Sequence, residues 1–154
     1  MKLELKHVLS YQPYQLMMQY IGILNGKELS KWQKENEGRD IFEEPETLCP
    51  ETVYGNKQGL IKKIETYLDY WKIRVGNGHK NIYKSQIGKD AFLILKPLSE
   101  ITKEILDEFN FIERPTENED LQFLSYGFMQ YCFENQYDIF GLIKAGLAID
   151  MNTL

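Results

Sequence analysis

The chain has only two histidines and two cysteines, few residues for a zinc site or thiol chemistry. His7 and His79 stand far apart, and no H-x-x-x-H or C-x-x-C spacing joins either to another ligand, so a zinc site is not expected. Cys49 and Cys132 are also distant, and Cys132 falls on the apolar face of a helical pattern, which predicts reduced thiols rather than a disulfide. There is no G-x-x-x-x-G-K-[ST] loop to cradle phosphates and no G-x-S-x-G nucleophile turn. Neither cysteine has a base close to it in sequence. Gly76-Asn77-Gly78 lacks the third glycine and the following helix of a dinucleotide loop, and reads as a hairpin turn. No apolar run can span a bilayer, residues 139–149 being too short and too interrupted. The opening MKLELKHVL places charges inside any would-be signal segment. There is no repeat and no low-complexity tract. These absences lead to the expectation of a cytoplasmic protein, not an enzyme, with no catalytic residues, cofactor, metal or membrane partner.

What is present is an ordinary globular composition. With 154 residues, 43% of them apolar and 13% aromatic, the chain can bury a substantial core as a single domain, residues 1–154. The densest apolar patterning runs from Glu119 to Leu154. Leu121, Leu124, Phe128, Tyr131 and Cys132 follow steps of three and four, which predicts a buried helix over 121–135. Asp138 is placed to cap a second, shorter helix over 138–145, with Gly146 just past its end. Ser99 is placed to cap a third, over about 98–109. Phe, Tyr and Met at helical spacing are core far more often than cofactor-binding surface.

Ahead of these helices the patterning is mostly that of strands. KLELKHVL (residues 2–9) alternates at its start and predicts a half-buried strand. Leu16 to Leu24 predicts a more fully buried one, ending at the turn dipeptide Asn25-Gly26. Leu29 and Trp32 point to a short helix through about Glu35. Residues 35–56, crowded with acids and holding Pro45 and Pro50, predict a loop, with no calcium-type spacing among the carboxylates. Residues 59–96 predict an antiparallel meander, in which Trp71, Ile73 and Val75 face in while Tyr70, Lys72 and Arg74 face out. Ala91 to Lys96 has the continuous apolar character of a central strand. The predicted fold is therefore α+β. Residues 2–97 form a twisted antiparallel sheet of about five or six strands, and two or three C-terminal helices within 98–154 pack on one face.

Charge is unevenly spread. The chain carries −5 overall, but residues 57–96 hold nine Lys/Arg against three acids, +6, which leaves −11 for the rest. On the outer face of the meander, Lys63, Tyr67, Tyr70, Lys72, Arg74 and Lys84 would interleave cations with tyrosine rings. Single-stranded nucleic acid needs that combination, because charges track phosphates and rings stack bases. Lysine and tyrosine are equally common on plain solvated sheet faces. The negative total also opposes binding driven by counterion release. A protein partner, or self-association, is the first expectation, and nucleic acid the alternative.

Four stretches together carry a resemblance: MKLELKH, GILNGKELSKW, LKPLSEITKEI and YDIFGLIKAGLAIDMNTL. They are similar to a family of short uncharacterised proteins of gut bacteria and their phages and prophages. The resemblance implies a cytoplasmic accessory protein of a mobile element, and supplies no activity, cofactor or site residue.

Overall fold

The computed structural model describes residues 2–23, 31, 34, 54–76, 80–111, 113–115 and 124–154. The chain divides into two compact units, Met1–Gln19 with Gln58–Leu154, and Tyr20–Lys57. Six strands form one open sheet: β1 (Met17–Ile23), β2 (Tyr54–Thr66), β3 (Trp71–Val75), β4 (Lys80–Tyr83), β5 (Ala91–Leu95) and β6 (Ala148–Asp150). Their order across the sheet is β4-β3-β2-β1-β5-β6. Helices α1 (Leu5–Leu9), α2 (Lys103–Glu108) and α3 (Tyr126–Glu134) accompany the sheet in this α+β fold.

The predicted strand at 2–9 is instead a helix. Leu3 and Leu5 alternate for too short a distance to hold an extended chain. The ring of His7 turns back so that its Nδ1 accepts the Glu4 backbone N–H at 3.0 Å, which closes the first turn. His7, Val8 and Tyr11 then lie buried at helical steps, while Leu9 is exposed. β1 buries alternate residues, Leu16 ahead of it and Met18 and Tyr20 within it, so it is covered on one face rather than two. In the smaller unit the Lys57 side chain runs across Gly22, and a Cβ there would meet Lys57 Cδ at 2.8 Å. Of the helix predicted from Leu29 to Glu35, Lys31 and Lys34 are described and are helical. The Asn25-Gly26 turn and the acidic segment up to residue 53 lie outside the described residues, and 54–56 open β2.

The first three strands of the predicted meander pair as expected, but its last, β5, lies across the sheet between β1 and β6 rather than beside β4. β2 runs antiparallel to β3, and β3 to β4. Trp71, Ile73 and Val75 are buried while Lys72 and Arg74 are only half-covered. β2 contains a bulge: Ile61 pairs with Val75 and Lys63 with Arg74, so Lys62 is an extra residue. The bulge resets the alternation, which lets Ile61 and Ile64, three apart, both turn away from the charged face. β5 lies between β1 and β6, and Ala91, Leu93, Ile94 and Leu95 are all buried, as befits a strand covered on both faces.

The sheet is mixed, not purely antiparallel. β6 pairs parallel to β5, with Leu93 opposite Ala148 and Leu95 opposite Asp150. A parallel neighbour needs a long crossover, and α2 and α3 lie within it. The predicted helix at 98–109 is shorter. A single 3₁₀ turn covers Leu98–Glu100, Ile101 is extended, and α2 starts after Thr102 rather than at Ser99. α3 starts at Tyr126 because the Ser125 hydroxyl accepts the Phe128 N–H at 3.2 Å. Residues 121–123 lie outside the described residues.

The helix predicted at 138–145 is instead a single turn. Asp138, fully buried, does cap it: Oδ1 accepts from Leu142 N–H at 2.9 Å and Oδ2 from Ile143 N–H at 2.8 Å. Gly141, at φ +76°, breaks the helical path at once. The turn closes with Gly146 N–H on Ile143 O and Leu147 N–H on Leu142 O, the paired bonds of a left-handed helix end, with Gly146 at φ +76°. The aromatic segment is interior packing, with Phe128, Cys132, Ile139, Phe140 and Leu142 buried. Tyr11 ties it to the N-terminal segment: its Oη donates to Tyr137 O at 2.7 Å and accepts from Ile139 N–H at 3.2 Å. Gln136, at φ +62°, donates from Nε2 to Tyr14 O and Gln15 O, both at 2.8 Å.

Candidate functional site

The outer face of β2, β3 and β4 is built in rows. Glu65, Lys72 and Tyr83 lie opposite one another across the three strands, and Lys63, Arg74 and Asn81 form the next row. Glu65 is the centre. Its carboxylate lies 3.2 Å from Arg74, 3.5 Å from Lys72 and 3.7 Å from Lys63. The Tyr67 hydroxyl donates to it at 2.9 Å. That hydrogen bond, then Arg74, Lys72 and Lys63, holds the Glu65 carboxyl below the usual range against the opposing pull of burial. The same bond raises the Tyr67 phenol. Burial pulls the Lys72 ammonium down, but Tyr67, Glu65 and Tyr83 outweigh it and leave it above the ordinary lysine value.

Beside this cluster lies a run of tyrosines. Tyr67 N–H donates to Tyr70 O at 2.8 Å and closes a turn whose tip, Leu68, is fully exposed. The Tyr67 and Tyr70 rings stack at 4.6 Å and 14°, and Tyr83 lies 6.3 Å beyond Tyr70. Lys72 Nζ sits 5.6 Å from the Tyr67 ring centre. All three tyrosines keep close to half their surface in water, at 47%, 47% and 44%.

Past Tyr70 and Tyr83 the sheet surface opens into a cleft of about 710 Å³. Leu3, Trp71, Ile87 and Leu147 form its apolar floor, and Tyr70, Tyr83, Lys84 and Ser85 its rim. The rim is locally fixed. Gln86 Oε1 accepts the Tyr83 N–H at 2.9 Å, which tightens the turn carrying Lys84 and Ser85. Gly88, at φ +91°, lets Leu147 come close, since a Cβ there would lie 3.0 Å from Leu147 Cδ2.

Of the residues predicted for the face, Lys63, Lys72 and Arg74 do converge on Glu65, with Lys72 and Arg74 largely covered and Lys63 still mostly in solvent. Tyr67 and Tyr70 are present and half-exposed, each with one ring face covered by the other. Lys84 stands apart from that cluster, on the cleft rim. Sequence reasoning missed Glu65, Tyr83 and the cleft. Glu65 shares its parity with Lys63 and Tyr67 in one strand, a signal that was there to be used. Arg74 Nε and Asn81 Oδ1 are shielded and have no hydrogen-bond partner among the described residues. Elsewhere, Cys132 is a free, fully buried thiol whose pKa burial pushes up to about 12. Among the described residues no group of three or more His, Cys, Asp or Glu could hold a metal ion, and no helix is long and apolar enough to cross a membrane. No protein-family model, curated protein or solved structure matches the chain.

Proposed function

We propose that this chain is a non-enzymatic binding module that holds a protein partner at the cleft between Tyr70 and Tyr83. One observation carries the reading: a cleft of about 710 Å³ with an apolar floor and two half-exposed tyrosines on its rim. That size lies within the roughly 300–1,000 Å³ of ligand-binding clefts. Tyrosine and tryptophan dominate the energetic centres of protein interfaces, because a rigid ring brings much contact area at little entropic cost. Among the described residues the lining holds no histidine, cysteine or carboxylate, the side chains that most often act as nucleophile, acid or base in catalysis. The setting is a cytoplasmic accessory role of phage or prophage type, as the sequence resemblance implies.

Single-stranded nucleic acid is the second reading, favoured by the half-exposed tyrosine rings with Lys72 beside them. Glu65 weighs against it. It neutralises part of the charge of Lys63, Lys72 and Arg74, so fewer counterions would be released on phosphate binding.

Selection from a random displayed peptide library tests the first reading. The folded protein should enrich peptides that compete with one another and lose binding to the Tyr70→Ala/Tyr83→Ala variant. Enriched peptides that bind that variant as well as the parent would overturn the cleft as the site.

A further inference from the structure

Resting on the cleft as the binding site, we infer the class of its partner: a peptide segment in which large apolar side chains stand next to acidic ones. The inference comes from the charges around the cleft. Among the described residues Lys84 is the one charged residue in the lining, and it makes no ion pair. Its ammonium stands on a rim whose other members are neutral. Glu65, the carboxylate at the centre of the meander's outer face, is already engaged with three cations and a phenol, so it adds little repulsion toward an incoming acid. The segment from 57 to 96, which supplies most of the lining, carries +6. An apolar floor beside an unneutralised ammonium complements a ligand that is oily at its centre and negative at its edge. The floor draws on four apolar side chains, Leu3, Trp71, Ile87 and Leu147, and the cleft is open to solvent. Those features suit an extended chain passing over the rim with side chains dropping inward.

The experiment uses the full chain and fluorescent synthetic nonapeptide pools read by anisotropy. The first pool places Leu, Phe, Tyr or Trp at two positions among Asp and Glu. The second replaces the acids with Lys. The third keeps the acids and replaces the apolar residues with Ser. The first pool should bind about tenfold tighter than either other pool, with the preference shrinking as salt rises from about 50 to about 500 mM. Lys84→Gln should erase the preference for acids and Lys84→Glu reverse it toward the second pool, with circular dichroism unchanged. Tyr83→Ala should weaken the first pool and leave the fold intact.

Equal binding of the first and second pools would overturn the acidic partner while leaving the cleft as a binding site. Equal binding of the first and third would show attraction by charge alone, and overturn the apolar anchor. Binding by no pool would overturn both this inference and the cleft reading. Displacement of the first pool by a single-stranded oligonucleotide, lost in the same variants, would assign the site to nucleic acid instead.

Discussion

Replacing Asp138 with alanine should cost a large share of this protein's stability, and the reason is local. The carboxylate is fully buried and its two oxygens each accept a backbone N–H, from Leu142 at 2.9 Å and Ile143 at 2.8 Å. Alanine would leave both donors without that partner. A buried donor left unsatisfied costs about 1–3 kcal/mol, so the pair sums to about 2–6 kcal/mol. Release from burying a charge offsets part of this, and a net loss of about 3 kcal/mol is expected. Domains of this kind have about 5–15 kcal/mol in all. With a urea slope of about 2 kcal/mol per molar, the unfolding midpoint should fall by about 1.5 M. Amide hydrogen exchange supplies the site-specific check: the Leu142 and Ile143 amides should lose protection ahead of the sheet. Asp138→Asn, which keeps one acceptor, should fall between alanine and the parent. A midpoint shift below about 0.3 M, with both amides still protected, would refute the argument. The effect should also reach the cleft, since the same turn delivers Leu147 to its floor.

Two further outcomes follow from buried titratable groups. Burial, then Lys6, holds His7 below its ordinary value of 6.5 against the pull of Glu4, so the native state binds fewer protons than the unfolded one just below that pH. Stability should therefore decline as pH falls below 6.5, and the slope of melting temperature against pH should flatten in His7→Gln; equal slopes would refute the assignment. The Cys132 thiol, buried with a pKa of about 12, should resist aromatic disulfide reagents in the native protein and react at once in denaturant. Prompt reaction of Cys132 without denaturant, followed by peptide mapping, would contradict its burial.

Elements with a clean period were legible in the sequence. Trp71, Ile73 and Val75 alternate without interruption and fall where expected, and the unbroken apolar run at β5 correctly implied an interior strand. Elements that depend on one side chain or on a distant partner were not. Two alternating leucines suggested extension at residues 2–9, but a single histidine nitrogen decides for helix. Asp138 was recognised as a cap. Nothing in its identity, however, says that Gly141 takes a left-handed conformation three residues later. β6 is three residues long, too short to show a period, and exists through its pairing with β5 far earlier in the chain. At the site, alternation placed Lys72 and Arg74 on one face. The regional excess of cations drew attention from Glu65, and the cleft floor could not be foreseen because its residues come from four separate places along the chain.

The extra residue in β2 makes the charged cluster depend on arithmetic as much as on chemistry. Lys63 and Glu65 look outward because one position has been skipped just before them. Swapping Lys62 for another amino acid leaves that count intact. Deleting it would remove the skip, so either the segment ahead of it or the one behind must rotate by half a turn, sending isoleucine into water or carboxylate into oil. Tolerance to substitution at this position therefore coexists with intolerance to any change in length.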